Sequence, residues 1–175
     1  FLNIFLDTAS AASILPEVTL SPTRFGQGDI YAGQKLNLEF VSANPTGPIH
    51  LGGTRWAALG DSLARILEFQ GALVTREYYF NDHGAQIDRF AKSLFASAKQ
   101  LPAPEDGYGG QYISDISDRV IANRGEEVLD MTEEDAVEVF RSEGVELMFS
   151  DIKASLADFG VKFDVYFHEN SLHES

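Results

Sequence analysis

The chain has 175 residues, contains no cysteine, and carries a formal net charge of −14, from 27 acidic and 13 basic residues. The excess of acid argues against a surface built mainly to neutralise nucleic-acid phosphates, and the lack of cysteine excludes disulfides and thiol catalysis. Hydrophobic residues make up 44 % of the chain, which is enough for a folded core, and no apolar run reaches the roughly 18 residues that suggest a membrane span. We therefore expect a globular protein of the reducing cytoplasm with no membrane association.

The first part of the chain is predicted to hold a linker between two short strands. Residues 1–7, "FLNIFLD", are apolar and read as a strand that ends a preceding domain, and residues 8–33 have the Ser, Thr, Pro and Gly content of a linker with one helical turn. In "KLNLEFVS", Leu36, Leu38 and Phe40 alternate with residues of the opposite face, which predicts a strand. We assign residues 1–33 to the end of a preceding domain plus a linker.

A strand–helix–strand–helix order is predicted for residues 34–100. The stretch "TRWAALGDSLARILEFQG" has large apolar residues at three- and four-residue steps, which predicts one core-facing side of a helix. These residues are Trp56, Leu59, Leu63, Ile66 and Leu67. "ALVTREYYF" follows as a second strand and "QIDRFAKSLFASAKQ" as a second helix. This order implies parallel strands and a right-handed crossover.

The remainder of the chain is predicted to be acidic, mainly helical, and closed by a third strand. Prolines and glycines in "LPAPEDGYGGQY" break the preceding pattern, and Thr132 is placed to cap a helix whose first turn holds three acids. "KFDVYF" then reads as a strand. We assign residues 101–160 to an acidic helical insertion and 161–175 to a return strand and the end of a truncated piece. The predicted fold class is α/β, a partial Rossmann-like nucleotide-binding parallel sheet with an acidic, mainly helical insertion.

The loop "NPTGPIHLGG", residues 44–53, carries the clearest chemical signal. It lies between a predicted strand and a predicted helix, where open α/β sheets bind ligands. Its two prolines fix φ angles, and its three glycines let a ligand approach the backbone. The following helix, predicted to begin at Gly53 or Thr54, favours an anion at its N-terminus, and His50 adds a hydrogen-bond donor. These features predict a nucleotide-binding loop.

The motifs within and around this loop carry a resemblance to a known family. Neither G-x-x-x-x-G-K-[ST] nor G-x-G-x-x-G is present. The pattern Pro-x-His-x-Gly resembles the signature of class I aminoacyl-tRNA synthetases and related adenylyl transferases. "SANPTGP" together with "REYYFND" and the Gly and Gln that follow it resembles the N-terminal half of the arginyl-tRNA synthetase catalytic domain of bacterial type. The resemblance runs from Gln34 to Phe90 and more weakly to Glu169, so residues 34–100 are interpreted as the first half of that domain.

The resemblance implies roles for individual residues. His50, Gly52 and Gly53 are implied as catalytic, with His50 contacting ATP phosphates and Gly52 leaving space for adenine. Glu39, Ser42 and Asn44 are implied to bind arginine. The implied ATP-binding loop comprises Ala43, Asn44, Pro45, Thr46, Gly47, Pro48, Ile49, His50, Leu51, Gly52 and Gly53.

Several of these residues also have plainer interpretations. A carboxylate at the end of an apolar strand, as at Glu39, is costly unless paired, and a guanidinium is the planar partner that fits it. That guanidinium could equally belong to Arg55 or Arg76 in a structural ion pair.

The other candidate residues also have a structural interpretation. Asp82, His83 and Gln86 either line the same cleft or form a turn and a helix cap. Trp56, Phe90 and Phe95 are predicted as core residues. No metal site is predicted, because His168, Glu169 and His173 lack the His-Glu-x-x-His spacing.

The implied reactants are ATP with accompanying Mg²⁺, L-arginine and tRNA(Arg), the tRNA contacted mostly through regions outside this chain, and a monomer is expected. Two departures from the family pattern matter. Gly53 stands where a second histidine is usual, and neither the later Lys-Met-Ser-Lys loop nor a Tyr/Asp pair for the guanidinium is present. We therefore expect little turnover from this chain alone. Two other hypotheses remain open at this stage: a small-molecule adenylyl- or cytidylyltransferase, and a non-catalytic nucleotide-binding module.

Overall fold

A three-stranded parallel sheet lies at the centre of the computed structural model, which describes residues 1–5 and 7–172. The strands, in their order across the sheet, are β1 (Lys35–Glu39), β2 (Leu73–Phe80) and β3 (Val165–His168). Glu39 lies opposite Glu77 in the first pairing, and Glu77 lies opposite Val165 in the second. The α/β class and the parallel strands are therefore confirmed. Because the strands are parallel, their carboxyl ends meet at one edge of the sheet.

Six α-helices surround or precede this sheet in the described part of the chain. They are α1 (Thr8–Ala12), α2 (Leu15–Leu20), α3 (Leu51–Phe69), α4 (Ala85–Ala98), α5 (Gln111–Arg124) and α6 (Glu133–Asp158), with 3₁₀ turns at Glu126–Asp130 and Glu169–Leu172. α3 connects β1 to β2, and α4 to α6 connect β2 to β3. Thr132 caps α6 as predicted, since its hydroxyl oxygen accepts the N–H of Asp135 at 3.2 Å. None of the helices within the described ranges combines the length and apolar character needed to cross a bilayer.

The hydrophobic core joins the sheet to the acid-rich helices. Phe80 of β2 and Phe149 of α6 stack with ring centroids 3.7 Å apart, and Phe90 of α4 is fully buried nearby. Phe140 and Ile152 of α6 belong to the same cluster. Residues 101–160, here called the acid-rich segment, therefore share one core with the sheet, because α5 and α6 both pack against α4. The boundaries of the acidic insertion and of the other segments stay predictions.

The N-terminal prediction of a strand is wrong for the residues that can be described. Residues 1–5 form no regular element, and the apolar side chains among them are exposed. Leu6 lies outside the described residues. A strand needs a hydrogen-bonded neighbour, and among the described residues the segment has none. The predicted linker holds two short helices instead of a single turn, and Asp7 caps the first by accepting the N–H of Ser10 at 3.0 Å.

The predicted core-facing side of α3 is also wrong. The side chains that it exposes are Trp56 at 55 %, Leu59 at 69 %, Leu63 at 44 % and Ile66 at 61 %. The buried positions of the helix are instead the small residues Gly53, Ala57, Gly60 and Ala64. Both sets recur with helical spacing, and the small set faces inward because α3 approaches the Phe40 ring too closely for a larger residue. Phe90 is buried and Phe95 is partly buried, as predicted, but Trp56 is not a core residue.

We expect Gly60→Ala to destabilise the fold, although alanine normally stabilises a helix by about 0.5–1 kcal/mol relative to glycine. A Cβ at position 60 would lie 2.2 Å from Cγ and 2.8 Å from Cβ of Phe40. Such overpacking typically costs about 1–3 kcal/mol. The measurement is the Tm of the full-length protein, with Ser62→Ala on the exposed side of α3 as the control. A Tm for Gly60→Ala that equals or exceeds the wild-type value would contradict this account of the α3 contact.

Candidate active site

The chain leaves β1 through two residues in the left-handed backbone region. Val41 has φ 67° and Ser42 has φ 42°, and neither is glycine. A β-branched residue at positive φ is strained, and such strain concentrates at functional sites. The turn is held because the Ser42 hydroxyl oxygen accepts the N–H of Tyr79 at 3.1 Å. Ser42, which the resemblance implies as an arginine contact, is therefore fixed by the neighbouring strand.

The Tyr78 hydroxyl holds the start of the loop from inside the core. It donates to the carbonyl of Ala43 at 2.7 Å and accepts the N–H of Ala43 at 3.1 Å. Tyr78 is fully buried, and this burial raises the pKa of its hydroxyl far above the ordinary value. The hydroxyl therefore stays protonated at neutral pH and can serve as donor and acceptor at once. One side chain satisfies both backbone groups of Ala43.

Asn44 contacts one of the three predicted cleft residues. Its side-chain amide donates to the Gln86 side-chain oxygen, on the first turn of α4. Asp82 instead lies against the end of β3, where its carboxylate accepts the N–H of Asn170 at 3.0 Å and lies 2.9 Å from Nδ1 of His168. His83 is exposed. The structure thus brings Gln86, but not Asp82, into contact with Asn44, one of the three residues implied to bind arginine. His173, weighed above for a metal, lies outside the described residues.

His50 caps α3 with its own ring. Nδ1 accepts the N–H of Gly52 at 3.0 Å, so a neutral imidazole carries its proton on Nε2 and presents a donor there. The helix begins at Leu51, earlier than predicted, because of this cap. A Cβ at Gly52 would lie 2.7 Å from Cε1 of His50, so glycine is needed for the ring to reach its own helix. Gly53 is buried, with only 3.1 Å from its Cβ position to Cγ2 of Ile49.

Two neighbouring cavities share Trp56. One, of about 400 Å³, is lined by Asn44, Pro48 and His50 of the loop and by Tyr108 and Tyr112 from the acid-rich segment. The other, of about 350 Å³, is lined by residues of β1, the strained turn and α3, and it includes Glu39 and Ser42. Exposed Trp56 lines both. His50 and Asn44 thus line one space, Glu39 and Ser42 line the adjoining one, and Trp56 contributes to both.

Tyr108 and Tyr112 were missed by the sequence analysis. They lie in "GYGGQY", which reads as a break between helices, and nothing local links them to a loop some sixty residues earlier. The Tyr112 hydroxyl donates to the carbonyl of Thr46 at 3.1 Å. The only signal available beforehand was two aromatic residues among three glycines, a composition unusual for a plain linker.

The structural ion pairs considered for Glu39 are not formed. The Arg76 guanidinium donates to both carboxylate oxygens of Glu68, at 2.6 and 2.9 Å, and lies 3.5 Å from Asp61. This pairing raises the pKa of Arg76 and lowers that of Glu68. Within residues 1–5 and 7–172, Glu39 has no ion-pair partner and is exposed. Its carboxylate is open to a cation from solution.

Comparison with known proteins identifies the relatives of this chain. Residues 16–105 match the family described as tRNA synthetases class I (R), catalytic domain. The chain is 63 % identical over its whole length to the arginine–tRNA ligase of Kineococcus radiotolerans and 59 % identical to that of Clavibacter sepedonicus, and it spans 31 % and 32 % of those proteins.

Solved structures give the same relationship. A Campylobacter jejuni crystal structure described, provisionally, as an arginyl-tRNA synthetase aligns with 97 % of this chain at a TM-score of 0.83 and 31 % identity, and the alignment covers 38 % of that protein. The Thermus thermophilus arginyl-tRNA synthetase aligns with 87 % of this chain at a TM-score of 0.53 and 22 % identity, over 26 % of its own length, which supports the fold alone.

Tyr78→Phe should destabilise the protein by about 1–3 kcal/mol, because the N–H and C=O of Ala43 would both lose their partner. The measurement is the Tm of the full-length protein. Tyr166→Phe is the matched control, since Tyr166 packs against Tyr78 but its hydroxyl forms no hydrogen bond within the described part of the chain. Equal Tm values for the two variants would show that the hydroxyl of Tyr78 does not hold the loop.

Proposed function

We propose, because the chain belongs to the family of class I arginyl-tRNA synthetase catalytic domains, that it forms part of an arginine–tRNA ligase. The chain spans about a third of the length of the curated relatives it matches, so the complete activity is assigned to the full-length protein. One observation carries the proposal most strongly. Glu39, which has no ion-pair partner in the described part of the chain, lines a cavity that adjoins the one containing His50.

The chemistry of the Glu39 cavity suits the side chain of arginine. A guanidinium offers several N–H donors in a plane and pairs with a carboxylate through two parallel hydrogen bonds. Ser42 lies on the same cavity. Asn44, at the neighbouring cavity, is held by Gln86 and would orient the amino group of the substrate. We therefore assign arginine binding to Glu39, Ser42 and Asn44.

The proposed reaction begins with attack of the arginine carboxylate on the α-phosphorus of ATP. This attack forms arginyl-adenylate and releases pyrophosphate, and the arginyl group then passes to the 3′ end of tRNA with release of AMP. His50 would donate from Nε2 to a phosphate oxygen, where negative charge builds in the transition state. Glycine at position 52 leaves room for the His50 ring, and the backbone there is proposed to contact the nucleotide. The chain's contribution is thus orientation and charge stabilisation.

Mg²⁺ is proposed to arrive with ATP, neutralising charge on the phosphates. Among the described residues, no group of three histidine or carboxylate side chains is placed to hold a metal. We propose tRNA(Arg) as the macromolecular partner, contacted mostly through parts of the protein outside this chain. The chain has 27 acidic and 13 basic residues, and this excess of negative charge is consistent with most tRNA contacts lying elsewhere in the protein. We also propose that the full-length protein is cytoplasmic and monomeric.

The direct test supplies the full-length protein with ATP, Mg²⁺ and total tRNA and measures acid-precipitable charging with each amino acid separately. We expect charging with arginine alone. Charging with a different amino acid would contradict the assignment of Glu39. ATP binding without charging by any amino acid would instead favour a small-molecule nucleotidyltransferase or a non-catalytic module.

Glu39→Gln should raise the KM for arginine about 10- to 100-fold, because a neutral amide cannot form the charge-assisted pair, which is worth about 1.5–3 kcal/mol. The measurement is steady-state charging by the full-length protein. Glu77→Gln is the matched control, since Glu77 lies directly opposite Glu39 on the neighbouring strand. We expect a change of less than about threefold for that variant. An unchanged KM in Glu39→Gln would remove the residue from the arginine site.

A further inference from the structure

The loop before α3 is anchored from the acid-rich segment as well as from the sheet and α4. Ala43 and Asn44, near its start, are held by β2 and α4, as described above. The anchor at Thr46 comes instead from Tyr112, on the first turn of α5, which lies 66 residues later in the chain. A segment interpreted from the sequence as an acidic helical insertion thus contacts the predicted nucleotide-binding loop directly.

The contact at Thr46 is close and shielded. The Tyr112 hydroxyl donates to the Thr46 carbonyl at 3.1 Å, and Thr46 is only 9 % exposed. The Thr46 N–H donates to the carbonyl of Asn44 at 2.8 Å, so both backbone groups of Thr46 are used. A Cβ at Gly47 would lie 3.4 Å from the Tyr112 hydroxyl oxygen, so the tyrosine also lies against the next residue of the loop. The Tyr112 hydroxyl is protonated at neutral pH and can donate, and partial burial raises its pKa further.

The support behind Tyr112 is rigid. The next residue, Ile113, is buried in the core, and Ser117, one turn further along α5, donates from its hydroxyl to the carbonyl of Leu94 in α4 at 3.0 Å. The segment just before α5 is fixed too, since the N–H of Tyr108 donates to the Ser93 hydroxyl oxygen at 2.9 Å. A side chain held by packing and hydrogen bonds can define the position of the groups it contacts.

We propose that Tyr112 is a positioning residue, whose hydroxyl fixes the loop from Thr46 to His50 and thereby sets the position of the His50 ring. The inference rests on the function proposed above, and it adds that the acid-rich segment takes part in adenylate formation. Pro45 and Pro48 stiffen the backbone on both sides of Thr46, so a shift at Thr46 reaches His50. A displacement of about 1 Å at a reacting group can reduce the rate as much as 10²-fold.

The test is Tyr112→Phe in the full-length protein, measured by arginine charging at saturating tRNA. We expect kcat to fall about tenfold while the KM for arginine changes by less than about twofold. The two constants should separate because Ala43 and Asn44, near the arginine site, keep their own anchors. Tyr166→Phe is the matched control. Tyr166 lies in β3 and lines neither cavity, and its hydroxyl forms no hydrogen bond among the residues that the structure describes, so kcat should not change.

A double-mutant cycle separates positioning from general stability. In a His50→Ala background, Tyr112→Phe should reduce kcat by less than about twofold, because the group it positions is gone. Amide hydrogen exchange should quicken in residues 44–53 of Tyr112→Phe and stay unchanged in α5 and α6. Faster exchange throughout the domain would indicate a structural role and overturn the inference, as would a tenfold loss that persists without His50.

The proposed function and this inference fail differently. If the wild-type protein does not charge tRNA with arginine, the proposed function is wrong, and the role of Tyr112 in it falls as well. If the wild-type protein charges arginine normally and Tyr112→Phe keeps its full kcat, only the inference is wrong.

Discussion

The turn out of β1 is the constraint on which the rest of the site depends. Val41 and Ser42 take up left-handed backbone conformations that their side chains disfavour, and the structure keeps them there with contacts from β2. Tyr78 makes two of these contacts, because its buried hydroxyl hydrogen-bonds both the N–H and the C=O of Ala43. Without this turn the chain would continue along β1. With this turn, the chain leaves the sheet and continues to His50, which caps α3.

The charge of the chain explains why the site is built from local donors. A net charge of −14 on this chain gives ATP, the proposed ligand, no net long-range attraction to these residues. The proposed contacts are short-range: the ring of His50, the backbone N–H groups at the start of α3, and a loop stiffened by two prolines. Trp56 lines both cavities, which fits its exposure.

Local sequence signals predicted strands, helices and caps, but they could not predict contacts between residues that are distant in sequence. The alternating apolar residues of β1 and the cap at Thr132 are each determined by neighbours within a few residues, so the sequence predicted them. The buried side of α3 was mispredicted because the helix carries two stripes, and only its distance from Phe40 selects the small one. The contact of Tyr112 with Thr46 had no local signal at all. Residue roles at the loop came from family resemblance and stay predictions.

The arrangement of the strands has a consequence for how the domain assembles during translation. β1 and β2 belong to neighbouring stretches of sequence, whereas β3 pairs with β2 only after a connection of more than eighty residues, as the pairing of Glu77 with Val165 shows. The entropy of closing so long a loop must be offset before that pairing forms, and the packing of α5 and α6 on α4 shortens the effective loop. The helices between β2 and β3 emerge from the ribosome before β3 does. Packing of the helices between β2 and β3 therefore lowers the entropic cost of adding the third strand to the sheet.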